Sequence, residues 1–471
     1  MLIRPLRLLC GLLLAVGTAA RAGALPPEVA QALRRAEVPR EALAVVVQEV
    51  RSGSPAPAPR LQHQADQPMN PASLFKLVTT AAALDLLGPA YTWNTGVWLD
   101  GPVRDGVLDG RLVIRGSGDP KLVLERVWLL LRRVQQLGVR DIHGDIVLDR
   151  SLFAAPEGTP GDFDGEPLRP YNVRADALLL NYKSVLYTFT PDLRQAVARV
   201  SVEPALSQVT VDSAVPLSDG PCGDWRAQLK PDFAEPQRVR FGGSYAASCG
   251  EKQWPVAHPD AVRYNARLIE ALWRDGGGLL QGTVRDGAAP AGTPPTFTVA
   301  SPPLAEVVRD INKFSNNVMA QQLFLTLGAT QAGNGTADGA RQVLRQWLVQ
   351  RFGEPATAGT VIDNGSGLSR DARVTARLLA LLLQASYAGP TMSELMSSLP
   401  VTGLDGTMRR AHAPAGRAHL KTGSLRDVAG VAGYVLAASG RRYVLVALIH
   451  HPNANAARGA LDALVQWTHD D

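Results

Sequence analysis

Ser73 and Lys76 stand three residues apart in MNPASLFKLVTT, where an apolar run begins. On a helix, residues i and i+3 share a face, so this hydroxyl and this amine can touch. A lysine serves as base for a serine only when neutral, which burial or a second positive charge nearby promotes by lowering its pKa. A helix N-terminus also favours the negative charge that develops on an attacking oxygen. Lys421, in Lys421-Thr422-Gly423, is the candidate second charge. That trio also suits a carboxylate: charge from Lys421, a hydrogen bond from Thr422 and close approach past Gly423. Between these two motifs in the chain lies Ser315-Asn316-Asn317. Singly, each has an ordinary reading: the polar start of a core helix, a capping turn, a solvated strand residue. Together and in this order, they argue for one catalytic site assembled by long-range folding.

The elements that must position them are legible in outline. PPEVAQALRRAEV reads as an amphipathic helix and EALAVVVQEV as a buried strand. A turn over 52–60 precedes a short strand near Leu61. Asn70 is the expected N-cap and Pro71 the expected helix start, with the helix running to Leu87 before Gly88-Pro89 ends it. Strand texture with Asp-Gly turns follows from Trp93 to Gly118 and returns over 144–211. Helical periodicity reappears over 260–274, 303–327 and 374–386. The stretch 420–450 reads as two strands joined at Ser439-Gly440, and ALDALVQWTHDD as a packing helix.

The three motifs resemble those of the serine penicillin-recognising enzymes, the group containing penicillin-binding proteins and β-lactamases. The chain between Ser73 and Ser315 is long enough to hold further domains, which is similar to the large insertion of the class C low-molecular-mass penicillin-binding proteins, D-alanyl-D-alanine carboxypeptidases with endopeptidase activity. IRGSGDPKL, DNGSGLSR, LPVTGLDGTMRR and KTGSLRDVAG match that family locally.

The resemblance implies an α+β transpeptidase fold, an antiparallel sheet flanked by helices, with a large β-rich insertion. The expected division is a signal peptide over 1–22, catalytic domain over 23–96, a β-rich insertion of one or two subdomains over 97–258 and catalytic domain again over 259–471. It further implies that Ser73 is acylated with Lys76 as base, that Ser315 relays a proton to the leaving amine, and that Asn317 orients the peptide. Lys421, Thr422 and Gly423 would bind substrate, and the backbone N–H groups of Ser73 and Ser424 would form the oxyanion hole. Arg370 would meet a side-chain carboxylate of the peptide, and Asp149 the side-chain amine of diaminopimelate. Arg426 stands where relatives often carry a neutral amide. The implied partners are peptidoglycan stem peptides and, as covalent inhibitors, β-lactams. The rival readings are a β-lactamase, against which the stretch around Glu166 lacks the usual acid-to-asparagine spacing, and a catalytically weak peptidoglycan-binding or scaffolding protein.

Composition agrees with an exported globular enzyme. The chain has 471 residues, a net charge of +5 and 46% hydrophobic residues, so two or three domains are expected and no basic patch points to nucleic acid. Arg4 and Arg7, an apolar stretch over 8–16 and Ala20-Arg21-Ala22 form a secretory signal pattern. This predicts cleavage after Ala22, a periplasmic destination and at most peripheral membrane contact. With Cys10 removed, Cys222 and Cys249 remain to form a disulfide or to stay as two free thiols. The eight histidines show no metal-ligand spacing, so neither metal nor organic cofactor is expected.

Overall fold

A computed structural model describes residues 24–50 and 57–471; the signal segment expected over 1–22 lies outside them. Five antiparallel strands form the central sheet, in the order Leu61–His63, Leu43–Glu49, Arg442–His450, Val428–Leu436 and Ala418–Leu425. Its strands are apolar on both faces because both are covered. Ala44, Val46, Val444, Val446 and Leu448 face one core, and Leu43, Val45, Leu445, Ala447 and Ile449 face the other. The first core is completed by the helices Phe75–Leu86, Leu304–Lys313, Asn317–Gln331, Ala337–Thr357 and Ala376–Ala388. The terminal helices Pro27–Arg35 and Arg458–His469 close the second. Each fully buried Leu or Val side chain contributes about 1.5–3 kcal/mol.

Two expectations for this domain change. The stretch read as one strand through KTGSLRDVAGVAGYV is a hairpin, Ala418–Leu425 and Val428–Leu436, turning at Arg426-Asp427. Its polar pair is a two-residue turn inside a long apolar run. Asn70 does not cap the helix, because the single 3-10 turn Ala72–Leu74 intervenes. Instead Asn70 Oδ1 accepts from the Ala72 N–H at 2.9 Å, and its Nδ2 donates to Ser369 O at 2.9 Å.

The inserted region leaves and returns through one strand pair. Asn94–Asp100 runs antiparallel to Phe297–Ala300, with Asn94 opposite Ala300. A seam near 97 was expected at the start, but the return expected at 258 lies close to 300. The helix Tyr264–Asp275 buries Tyr264, Leu268, Ile269 and Trp273 in the insertion's own core, which carries the boundary past it. Four further sheets and the helix Leu124–Gln136 make up the rest. Cys222 and Cys249 are joined by a disulfide there. Among the described residues no helix is long and apolar enough to cross a membrane.

Candidate active site

Ser73 sits in the 3-10 turn Ala72–Leu74 that leads into the buried helix Phe75–Leu86. The turn is forced: Ala72 has φ +47°, a conformation that costs a non-glycine residue on the order of 1–3 kcal/mol. Asn70 holds it from one side. From the other, the loop 363–371 packs so closely that a Cβ on Gly367 would lie 1.8 Å from Ala72 O. Only glycine fits at that approach.

Lys76 is fully buried, with three partners around its Nζ: Asn317 Oδ1 at 2.6 Å, Ser366 O at 2.6 Å and Ser73 Oγ at 3.0 Å. Burial first, and the Lys421 charge second, hold its pKa well below the ordinary lysine value. A neutral amine has two N–H bonds and one lone pair. Asn317 and Ser366 offer only oxygen acceptors, so they take the two N–H bonds and the lone pair faces the Ser73 hydroxyl. This is the arrangement a serine needs to lose its proton as it attacks.

Lys421, fully buried in Ala418–Leu425, donates to Ser315 Oγ at 2.8 Å and to Thr422 O at 2.8 Å. Burial lowers its pKa to about 7. Ser315 is held in the break between the helices Leu304–Lys313 and Asn317–Gln331, with φ +56°. Asn316 caps the second helix through the Met319 N–H, leaving Asn317 in its first turn with its amide aimed at Lys76. Gly423 lets the strand pass the nucleophile turn, since a Cβ there would lie 2.7 Å from Pro71 O. The three motifs thus meet in one site.

The peripheral residues divide. Thr422 Oγ1 lies 2.7 Å from Thr407 Oγ1, and Ser424 Oγ accepts from Arg458 Nη2 at 2.7 Å. Arg370 reaches Asp427, in the hairpin turn, at 3.5 Å and lies over the Phe163 ring of the insertion at 4.6 Å. A cavity of about 600 Å³ opens beside it, lined in part by Asp162, Phe163, Arg174, Asp363 and Ser369. Arg426 is exposed in the same turn, its carbonyl accepting from Asn455 Nδ2 at 2.9 Å. Asp149 is not brought to this cluster. It is 3% exposed at the end of the strand Ile146–Asp149, and its oxygens accept from the N–H groups of Ser151 and Ala289, both at 2.9 Å, with Arg115 at 3.7 Å. Burial raises its pKa, but the hydrogen bonds from Ser151 and Ala289 outweigh that and hold it below the usual carboxylate range.

Several contacting residues were not singled out in the sequence, although Ser366 and Thr407 lie within the matched stretches DNGSGLSR and LPVTGLDGTMRR. Ser366 acts through its carbonyl, which any residue possesses. Tyr171 brings the insertion to the site the same way, its carbonyl 3.5 Å from Asn317 Nδ2. Thr407 and Arg458 lie in other segments and meet the site only through the fold. Among the described residues no group of three His, Cys, Asp or Glu side chains is placed to hold a metal ion.

Comparison with known proteins adds to this geometry. The sequence profile of the D-Ala-D-Ala carboxypeptidase 3 (S13) family matches residues 25–470. The chain is 28% identical over 392 residues to the D-alanyl-D-alanine carboxypeptidase of Actinomadura sp. strain R39, covering 78% of this chain and 70% of the relative. It is 24% identical over 391 residues to the D-alanyl-D-alanine carboxypeptidase DacB of Haemophilus influenzae, covering 80% of each. The fold is similar to penicillin binding protein 4 from Haemophilus influenzae, with a TM-score of 0.74 at 22% identity, over 93% of this chain and 99% of that one.

Proposed function

This chain belongs to the D-Ala-D-Ala carboxypeptidase 3 (S13) family, and from that premise we propose how its residues carry out the reaction. The substrate is a peptidoglycan stem peptide ending in D-Ala-D-Ala. Ser73 Oγ attacks the carbonyl carbon of the penultimate D-alanine while its proton passes to the Lys76 lone pair. The N–H groups of Ser73 and Ser424 face the oxyanion, and donors of this kind lower a barrier by about 3–4 kcal/mol. As the C–N bond breaks, the proton taken up by Lys76 is relayed through the Ser315 hydroxyl to the leaving amine, so that D-alanine departs and both Lys76 and Ser315 are restored. Water then hydrolyses the acyl-serine ester, releasing the shortened peptide as its carboxylic acid and restoring Ser73.

Lys421 and Thr422 bind the carboxylate that follows the scissile bond, and Asn317 orients the peptide backbone. Arg370 meets a side-chain carboxylate of the stem peptide by exchanging its Asp427 partner for it. Asp149 is a weaker choice for the diaminopimelate amine, because its oxygens already serve Ser151 and Ala289. The same chemistry extends to endopeptidase cleavage of D-alanyl cross-links, since the D-centre of diaminopimelate also presents an amine beside a carboxylate. We assign the enzyme to the periplasm, reached through the signal pattern ending at Ala22.

One observation carries this reading: the fully buried Lys76 Nζ contacts two acceptor-only oxygens, Asn317 Oδ1 and Ser366 O, and the Ser73 hydroxyl, so that the neutral amine would turn its lone pair to Ser73. Mass spectrometry after penicillin treatment tests it. The wild type should gain one penicillin mass on the peptide containing Ser73, and Ser73→Ala should gain none. An adduct that persists in Ser73→Ala sinks the assignment. Rapid turnover of nitrocefin would favour the β-lactamase reading instead.

A further inference from the structure

Side chains two apart on a strand share a face, so Ser424 lies beside Thr422 on the edge strand Ala418–Leu425. The Ser424 hydroxyl is held from behind by residues over 30 positions downstream. Arg458 Nη2, at the first position of the helix Arg458–His469, donates to Ser424 Oγ at 2.7 Å and to Asn455 Oδ1 at 2.8 Å. Asn455 is itself fixed, its Nδ2 donating to Leu425 O at 2.8 Å and Arg426 O at 2.9 Å. Its Oδ1 therefore accepts, from Arg458 and, at 3.2 Å, from the Ser424 hydroxyl.

The guanidinium is thus pinned at the rim of the site by neutral groups, and it forms no ion pair among the described residues. The neighbouring charges are otherwise placed. Asp462, one turn along the same helix, feels the Arg458 charge without forming an ion pair with it among the described residues, and Asp427 is engaged by Arg370 and His450. Arg426, in the adjacent turn, adds positive charge to the same rim. An arginine whose hydrogen-bond partners are all neutral retains its charge for an incoming anion.

We propose that Arg458 is a positioning residue for recognition of the leaving group's carboxylate. It donates to Ser424 Oγ and also satisfies Asn455 Oδ1, so that when substrate binds the Ser424 hydroxyl can move its proton from Asn455 Oδ1 to the carboxylate held by Thr422, with the guanidinium charge behind it. This inference rests on the proposed carboxylate site at Lys421 and Thr422. It explains why a cation is held by neutral groups beside the edge strand, where a purely structural residue would need no charge.

The experiment compares two synthetic peptides, one ending in D-Ala-D-Ala with a free carboxylate and one ending in the primary amide. In the full-length enzyme, Arg458→Gln should raise KM for the carboxylate peptide about five- to tenfold, change kcat less than about twofold and leave the amide peptide unaffected. Arg458→Lys should restore most of the loss. Ser424→Ala should also raise KM for the carboxylate peptide, with no further rise when Arg458→Gln is added, and the rescue by Arg458→Lys together with thermal melting of each variant covers the case that Arg458→Gln folds poorly. If the wild type cleaves both peptides alike, the carboxylate site itself is refuted and this role with it. If the wild type prefers the carboxylate and Arg458→Gln keeps that preference, the carboxylate site stands and the role of Arg458 falls.

Discussion

Four of the seven lysines are buried, and they form two pairs with opposite surroundings. Lys183, in the insertion, lies 2.6 Å from Asp176, and Lys313, in the catalytic domain, lies 2.5 Å from Asp405. Among the described residues Lys76 and Lys421 have no carboxylate within ion-pair distance, only hydroxyls, an amide oxygen and backbone carbonyls. Burial is alike; the counter-ion is not. A buried amine paired with a carboxylate ties elements together: Lys313 also donates to Leu399 O at 2.7 Å, fastening the loop that carries Thr407. A buried amine without one sheds its proton readily. The same side chain is therefore ion-paired in two places and, in the other two, held without a counter-ion in the proposed catalytic site.

Four measurements break or sharpen that contrast. Lys76→Met should have the largest effect, lowering kcat/KM by about 10³-fold or more while leaving thermal stability equal or higher near neutral pH, because no ion pair is lost. A large fall in stability would mean that Lys76 is a fastener after all. Lys183→Met should do the reverse, lowering unfolding free energy in urea by about 3 kcal/mol, as expected when a buried pair is broken, with kcat unchanged in the folded fraction. Arg150, 3.2 Å from Asp176, limits the loss.

The third measurement is stability against pH. Lys421 titrates at about 7 when folded, against 10.5 for an ordinary lysine, so between these values the unfolded chain binds more protons than the folded one. Stability should therefore be lowest below about pH 7 and rise toward pH 10.5. Lys421→Met should flatten that rise, leaving the part due to Lys76, whose shift has the same sign. An unchanged slope in the variant would refute the assignment of the shift. The smallest effect is expected from Thr407→Val. The Thr407 hydroxyl has only Thr422 as partner among the described residues. Its loss should raise KM by roughly two- to tenfold, the value of one modest hydrogen bond, and an unaltered KM would make the contact incidental.

Much of the fold could be read along the chain where one periodicity persists. The apolar run of Leu43–Glu49 and the amphipathic Pro27–Arg35 are such cases. The reading failed where tertiary packing overrides local pattern. Tyr264–Asp275 looks like any amphipathic helix, and nothing local says that its apolar face belongs to the insertion's core. The hairpin at Arg426-Asp427 was hidden because apolar residues flank it on both sides. Asp149 looked available because a lone aspartate carries no mark of the two backbone N–H groups that occupy it.

By itself the sequence determined the candidate reactive set, because Ser73, Lys76, Ser315, Asn317, Lys421 and Thr422 each carry chemistry that depends on residue type. It also determined that the site closes over a long insertion. Only the tertiary structure decided what each group faces: that Ser366 lends a carbonyl to Lys76, that Lys76 and Lys421 lack the carboxylates given to Lys183 and Lys313, and that Arg458 stands behind Ser424. The physical reason is that these properties are relations across hundreds of residues, and several run through backbone atoms common to all residue types. Proton affinity and charge availability follow from such surroundings, so they exist only once the chain has folded.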